Sequence, residues 1–170
     1  MKKSLNYGFN DLFVTKILKG KFDITDDIIL DAMNKTVSSK IHEFAKIHFN
    51  EYLNDILGLS LSDYKGYKLS SWVNRYENSE MEYHTHNGAQ LSAVYYPVVE
   101  GVGGESAFYD PRFFAARGYD LSFRTLYEPV EVKPESGLFV IFPSYLYHSV
   151  KVSRGFKISI PVDLFLYTDS

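Results

Sequence analysis

One stretch of this chain carries two histidines directly ahead of an apolar strand: His84-Thr-His86-Asn-Gly-Ala-Gln-Leu-Ser-Ala-Val-Tyr-Tyr-Pro97. Side chains two residues apart project from the same face of a strand, so His84 and His86 point the same way if the segment is extended. A third histidine, His148, follows the apolar run Leu138–Phe142, which is typical of a buried strand. The pattern predicts a metal ion held between separate strands of a small β-barrel.

The composition is that of an ordinary globular protein and narrows the function classes. The chain has 170 residues, 45% hydrophobic and 16% aromatic, which favours one domain over residues 1–170 with many strands. The net charge of −3 argues against a nucleic-acid partner. There is no cysteine, which excludes thiolate metal ligands. Neither a signal peptide nor a membrane-spanning run is recognisable, so we expect a cytoplasmic protein.

Two helices are predicted near the N-terminus, after an early strand over residues 9–20. Asp26 and Asp27 are typical of the first turn of a helix that begins near Thr25. A second helix fits residues 39–57, where apolar residues recur at helical spacing. The prediction is therefore a helical flank over about residues 23–57. Its histidines lie six positions apart, too far to meet on one helix face, and we assign them no chemistry.

Short strands bounded by glycine and proline follow from Gly58 onward. We predict a turn at Gly101–Gly104 and an irregular segment over residues 112–126. The pattern predicts a mainly β fold with N-terminal helices, a jelly roll or cupin-like barrel over about residues 67–166. The predicted strands are 67–76, 82–86, 90–98, 105–109, 127–133, 138–142, 146–152 and 156–166.

A lysine lies on a predicted strand near the end of the barrel. Lys157 and Ser159 share one face of this strand, opposite Ile158 and Ile160. A lysine that faces a barrel interior is costly unless it meets an anion. If the face is instead the solvated one, the lysine needs no such partner, and alternation alone leaves both possibilities open. On the inner face, the hydroxyl of Tyr96 could join Lys157 around a carboxylate.

Taken together, these segments resemble the iron(II)- and 2-oxoglutarate-dependent oxygenases. The resemblance is closest to the small members common in bacteria and their viruses, and more distant to the prolyl hydroxylases. It covers about residues 67–163, the whole predicted barrel. The segments that carry it are Trp72–Tyr76, His84-Thr-His86, Leu91–Pro97, Phe108–Arg112, Gly137–Ser144, His148 and Lys157-Ile-Ser159.

The resemblance implies a double-stranded β-helix that holds Fe(II) at its open end. It also implies 2-oxoglutarate as cosubstrate, O₂ as oxidant and hydroxylation of a C–H bond coupled to decarboxylation of 2-oxoglutarate to succinate. His84 and His148 match the two metal histidines of the family. Lys157 stands where most members have an arginine that pairs with the distal carboxylate of 2-oxoglutarate. The residues that match other cosubstrate contacts are Ser159, Tyr96 and either Asn74 or Tyr76.

The sequence departs from the family pattern at two positions. His86 stands where the usual carboxylate ligand is found. Either all three imidazoles bind the metal, or His86 does not coordinate it and only two histidines do. Glu82 lies about 13 Å from position 86 along a strand, too far to share the metal, and Asp110 is a remoter candidate. Lysine at 157 keeps the charge of arginine but loses its two-pronged geometry. From position alone, Arg112 and the segment 110–126 are predicted to face the substrate.

Three other functions fit parts of the pattern. Gly137, Pro143 and His148 also suit a cupin metalloprotein, although the cupin glutamate is Gln90 here and a cupin has no use for Lys157. A non-catalytic jelly roll, serving in ligand binding or as a structural protein, would leave the histidines without a metal. A zinc hydrolase is compatible with three histidines. We expect a small-molecule or peptide substrate, and no feature of the sequence specifies its identity or an oligomeric state.

Overall fold

The computed structural model describes residues 14–112 and 128–168, which form two helices and two antiparallel β-sheets. The helices are α1 (Asp26–Met33) and α2 (Ser39–Leu57), followed by a short 3₁₀ turn, Leu61–Asp63. The strands are β1 (Leu18–Lys21), β2 (Gly66–Ser71), β3 (Asn74–Glu77), β4 (Met81–His84), β5 (Leu91–Gly103), β6 (Ser106–Phe108), β7 (Val130–Val132), β8 (Leu138–Pro143), β9 (His148–Val150) and β10 (Ser153–Tyr167).

The two sheets have different sizes and roles. The major sheet has the order β1-β8-β5-β10-β2, with β3 also paired to β10. The minor sheet has the order β4-β9-β6-β7. β10 is the longest strand at 15 residues and pairs with β5 along most of its length. This strand therefore carries side chains from one end of the barrel to the other.

Both helices cover the outer face of the major sheet. Ile41, Ala45, Phe49 and Leu53 recur every four residues on α2 and are buried, so they form one apolar stripe. The stripe belongs to the same core cluster as Tyr95 and the even-numbered apolar residues of β10. Full burial of each large apolar side chain contributes about 1.5–3 kcal/mol. The helical flank thus stabilises the sheet that carries the interior side chains.

The predicted mainly β architecture with N-terminal helices is confirmed, and α2 has the predicted bounds. The predicted strand 67–76 is instead broken into β2 and β3. β2 pairs with residues 162–167 of β10 and β3 with residues 156–159. The break lies beside Pro161, which has no amide hydrogen to donate to a neighbouring strand.

The predicted turn at Gly101–Gly104 is also wrong in part. β5 continues to Gly103 and stays paired with β10, where Gly101 lies directly opposite Gly155. Both glycines have positive φ values, 106° and 120°, which other residues rarely adopt. The glycines therefore bend a continuous ladder rather than end it.

Parts of three predicted segments lie outside the described residues, including the first position of the predicted strand 127–133. The described part of segment 9–20 contains β1, which begins at Leu18. Of the segment predicted to be irregular, only Arg112 is described. Neither described helix is both long and apolar enough to span a membrane.

Candidate metal centre

The pairing of β4 with β9 brings two of the predicted ligands together. His84, the last residue of β4, lies opposite His148, the first residue of β9. His86 follows β4, and its backbone N–H donates to the carbonyl oxygen of Ser144 at 3.1 Å. One ring nitrogen from each histidine lies within 4.8 Å of the other two. The three imidazoles therefore converge on one point, as an ion held by nitrogen donors requires.

Each imidazole also has its second ring nitrogen occupied. Nδ1 of His84 lies 2.7 Å from the carbonyl oxygen of Glu82, and Nδ1 of His148 lies 2.9 Å from that of Leu146. Since a carbonyl oxygen only accepts, both Nδ1 atoms carry the proton and leave Nε2 with a free lone pair. Metal-binding histidines are held in this way by an acceptor behind the ring. The donor set therefore fits a metal ion.

The electrostatic surroundings favour the neutral ligand form of His148. Burial, together with smaller effects of the neighbouring His84 and His86, lowers its pKa from 6.5 to about 4. The rings of Phe108 and Phe142 lie 5.7 and 4.8 Å from the imidazole and keep water away. A neutral imidazole is the form that binds a metal, so His148 is prepared for coordination at neutral pH.

The two carboxylates considered from the sequence lie elsewhere. The side chain of Glu82 is exposed, and only its backbone carbonyl contacts a histidine. Asp110 binds the guanidinium of Arg112 through both carboxylate oxygens, at 2.9 and 2.7 Å, which holds the pKa of Asp110 below its usual value. Asp110 and Arg112 line a neighbouring pocket rather than the histidine cavity. The role of Arg112 toward a substrate stays a prediction.

The histidines open into a cavity of about 250 Å³ between the two sheets. The side chains of the cosubstrate residues predicted from the sequence line the same cavity as the histidines. The structure thus brings together the residues predicted to bind the metal and the cosubstrate: His84, His86, His148, Tyr96, Lys157, Ser159 and Asn74.

Lys157 is a buried cation inside this cavity. Its side chain is 1% exposed, so the face it shares with Ser159 is interior and the solvated alternative is wrong. The ammonium group donates to the carbonyl oxygen of Gly104 at 2.7 Å and lies 4.4 Å from the ring centre of Tyr76. Burial lowers the pKa of Lys157 to about 8. No carboxylate of the described residues lies within 4.0 Å of it, so the cavity holds a cation that lacks an anionic partner.

Residues with hydroxyl groups line the same cavity as this cation. The hydroxyl of Tyr96 lies 2.8 Å from Oγ of Ser106, and burial raises the pKa of Tyr96 to about 12, so the phenol keeps its proton. Burial also raises the pKa of Tyr76, against the opposing effect of hydrogen bonds from Ser159 and Asn74. These groups provide hydrogen-bond donors beside Lys157, which suits recognition of a carboxylate.

Two residues that contact the His86 ring were given no role from the sequence. Asp163 is buried, and its carboxylate lies 2.6 Å from Nδ1 of His86. It lies on the same face of β10 as Lys157 and Ser159, so extending the alternation by two further steps of two beyond Ser159 would have found it. Trp72 stacks on the His86 ring at 5.7 Å, and no periodic signal marks it.

The protein is thus a jelly-roll β-barrel with a candidate binding site in its interior cavity. Three converging imidazoles provide donors for a metal ion, and a buried ammonium group provides a place for an anion. Residues 70–163 match the family model described as "Putative 2OG-Fe(II) oxygenase". The match covers more than half of the chain, and the protein belongs to this family of 2-oxoglutarate- and iron-dependent oxygenases. Membership in this family implies the metal and the cosubstrates predicted from the sequence, namely Fe(II), 2-oxoglutarate and O₂.

Two solved structures are similar to this chain, and the first of them supports the fold. A 2OG-Fe(II) oxygenase-family oxidoreductase from Burkholderia pseudomallei is 16% identical, with a TM-score of 0.50 over 68% of this chain and 51% of that chain. A prolyl-4-hydroxylase from Pseudomonas putida is 20% identical, with a TM-score of 0.45 over 69% and 59% of the two chains. The protein therefore spans little more than half the length of these relatives. No curated protein matches the sequence.

Proposed function

We propose that this protein is an Fe(II)- and 2-oxoglutarate-dependent oxygenase that hydroxylates a C–H bond of its substrate. The observation that carries the proposal is the presence, in one cavity, of three converging imidazoles and the buried Lys157. Bound iron and 2-oxoglutarate would supply the oxidation, in which O₂ converts 2-oxoglutarate to succinate and CO₂ and places one oxygen atom in the substrate C–H bond. The chain supplies the ligands, the anchoring of the cosubstrate and the exclusion of water.

The charges of the cavity support a dianionic cosubstrate. A divalent ion and a protonated Lys157 bring three positive charges, while Asp163 brings one negative charge. Such an excess of positive charge is costly among buried groups unless it is compensated. The two carboxylates of 2-oxoglutarate supply the two missing negative charges.

The roles of the residues follow from their positions. His84, His86 and His148 would hold the ion through Nε2. Lys157 would bind the distal carboxylate of 2-oxoglutarate, because it is a buried cation without a described anionic partner. The residues that would donate or orient hydrogen bonds around that carboxylate are Tyr96, Ser159 and Asn74.

The alternatives fit the site less well. The cupin reading needs a glutamate at position 90, but Gln90 is exposed and lies outside the cavity. A cupin also gives no reason for a buried Lys157. A jelly roll without a metal gives no reason for three imidazoles whose Nε2 atoms are all left free toward one point.

The wider setting forms part of the same proposal. We propose a single domain over residues 1–170, with the helical flank at about 23–57 and the barrel at about 67–166. A shared core between the helices and the major sheet supports this organisation. The net charge of −3 supports a small molecule or peptide rather than a nucleic acid as substrate. We place the protein in the cytoplasm.

Anaerobic calorimetry with Mn(II), which does not react with O₂ as iron does, tests the assignment. We expect one ion per chain, and 2-oxoglutarate binding that requires the ion. His84→Ala or His148→Ala should abolish binding of the ion. Lys157→Met should keep the ion but weaken 2-oxoglutarate binding about 10- to 100-fold, because a charge-assisted hydrogen bond is lost.

The matched control is Lys151→Met, which removes a surface lysine that pairs with Glu131. Lys151 lies outside the cavity, so this variant should bind both ligands as the unmodified protein does. Loss of the ion in Lys157→Met would contradict the assignment, as would unchanged affinity for 2-oxoglutarate.

A further inference from the structure

The imidazole of His86 rests on a buried carboxylate. Oδ1 of Asp163 lies 2.6 Å from Nδ1 of His86 and accepts a second hydrogen bond from Oγ of Ser92 at 2.7 Å. Oγ of Ser92 lies in turn 2.8 Å from Oγ of Ser144. Asp163 is 7% exposed, and both serines are buried. These hydrogen bonds therefore hold the carboxylate in one orientation behind the His86 ring.

This carboxylate has no cationic side chain of lysine or arginine beside it in the described chain. Burial of a carboxylate without such a partner is costly, and the cost has to be offset by another interaction. The contacts that Asp163 does make are with His86 and Ser92. A metal ion on the far side of the His86 ring would provide the positive charge that the carboxylate lacks.

Other contacts fix the His86 ring in the matching orientation. The indole of Trp72 stacks on the ring at 5.7 Å and 28°, and Phe142 meets it edge-on at 6.1 Å. The backbone carbonyl of Ser144 accepts the N–H of His86 at 3.1 Å, and its Oγ lies 2.8 Å from that of Ser92, which donates to the carboxylate. With Nδ1 directed at Asp163, Nε2 of His86 faces His84 and His148.

We propose that Asp163 is the positioning residue of the metal centre and makes His86 a true third ligand. Its carboxylate fixes the Nδ1–H tautomer of His86, makes Nε2 a stronger donor and places behind the ring the negative charge that a directly bound carboxylate would otherwise bring. The inference rests on the proposed metal site. The proposal also excludes the arrangement in which His86 does not coordinate the metal and only two histidines are ligands.

The decisive variants separate charge from packing. Asp163→Asn keeps the size of the side chain and removes its charge. Ser92→Ala breaks a hydrogen bond in the same buried network but leaves the carboxylate and its contact with His86. Tyr95→Phe serves as the matched control, since it removes a hydrogen bond to His48 in the core beneath the helices, away from the cavity.

The first readout is the titration of each variant with Co(II), followed by its visible absorption spectrum. We expect Asp163→Asn to lower the affinity about 10- to 100-fold and to alter the spectrum. Ser92→Ala should lower the affinity by a clearly smaller factor, and Tyr95→Phe should bind as the unmodified protein does. Equal losses in Asp163→Asn and Ser92→Ala would overturn the proposal, because packing alone would then explain the effect.

The second readout does not require a metal. Long-range ¹⁵N–¹H correlation spectra of the metal-free protein report which ring nitrogen of His86 carries the proton. We expect Nδ1–H in the unmodified protein and a changed population in Asp163→Asn; an unchanged tautomer with unchanged Co(II) affinity would overturn the proposal. If Asp163→Asn weakens Co(II) binding as expected but 2-oxoglutarate never binds the loaded protein, the positioning role stands and the oxygenase proposal fails.

Discussion

His148 is the most enclosed of the three imidazoles, at 4% exposed. Its Nδ1–H is bonded to a carbonyl oxygen two residues earlier in the chain, and aromatic rings cover its sides. These surroundings favour the neutral ring because burial penalises the charged form. The same burial that prepares the residue for a metal therefore makes the metal-free fold sensitive to acid.

Metal-free protein should lose stability in acid through His148. Its pKa is about 4 in the folded chain against an ordinary 6.5, so the unfolded chain binds the proton first. The stability that the folded protein gains from the neutral His148 is fully present above pH 6.5. As the pH falls from 6.5 to 4, the free energy of unfolding should decrease by on the order of 3 kcal/mol. Urea unfolding in the presence of a chelator measures it.

The non-titrating variant His148→Gln provides the reference for this experiment. Its free energy of unfolding should fall less steeply over the same pH range, whatever its value at neutral pH. Identical pH slopes in the two proteins would show that His148 is not the group responsible.

At the scale of elements, β10 contributes side chains to both faces of the major sheet. Its even-numbered residues Ile158 to Leu164 pack under the helices, while the odd-numbered residues from Lys157 to Asp163 line the cavity. This division is the ordinary alternation of a strand, and it is why a sequence pattern could place Lys157 and Ser159 together. The position of the strand therefore fixes several site residues at once.

The pairing of β10 with β5 depends on the glycine pair at its start. A Cβ added to Gly101 would lie 2.1 Å from the carbonyl oxygen of Arg154, and φ at this glycine is +106°. Gly101→Ala should therefore lower the free energy of unfolding by about 2–4 kcal/mol, since it adds backbone strain and a backbone clash. Chemical denaturation measures the change.

Gly58→Ala separates the clash from the strain. Gly58 ends α2 with φ of +65°, and a Cβ there would meet nothing within 4 Å. This variant should lower the free energy of unfolding by only about 1 kcal/mol, because alanine must adopt a left-handed conformation but meets no neighbouring atom. A loss in Gly101→Ala no larger than that in Gly58→Ala would mean that β5 moves away from β10 without difficulty.

For the molecule as a whole, local periodicity predicted much of the architecture and grouped some residues of the candidate site, while the resemblance to the oxygenases suggested the roles of the others. The apolar spacing on α2 gave its bounds, and alternation along β10 grouped Lys157 with Ser159. The spacing of His84 and His86 indicated a shared face. Each of these features depends on residues close together in the chain, where side-chain direction follows from the element itself.

Features that depend on partners distant in the sequence were not predictable in the same way. The contact between His86 and Asp163 joins residues 77 positions apart, and the break between β2 and β3 is set by Pro161 on another strand. The continuation of β5 through Gly101 likewise depends on Gly155 opposite it. Local glycine content indicated a turn, and only the pairing shows a bent ladder.

The central claim is that one cavity holds the iron and 2-oxoglutarate together. An anaerobic titration of the Fe(II)-loaded protein with 2-oxoglutarate tests it most directly, because chelation of iron by the keto acid produces a visible metal-to-ligand charge-transfer band. We expect a band that saturates at one 2-oxoglutarate per iron and is absent from His148→Ala. Iron that binds tightly but gives no band with 2-oxoglutarate would contradict it.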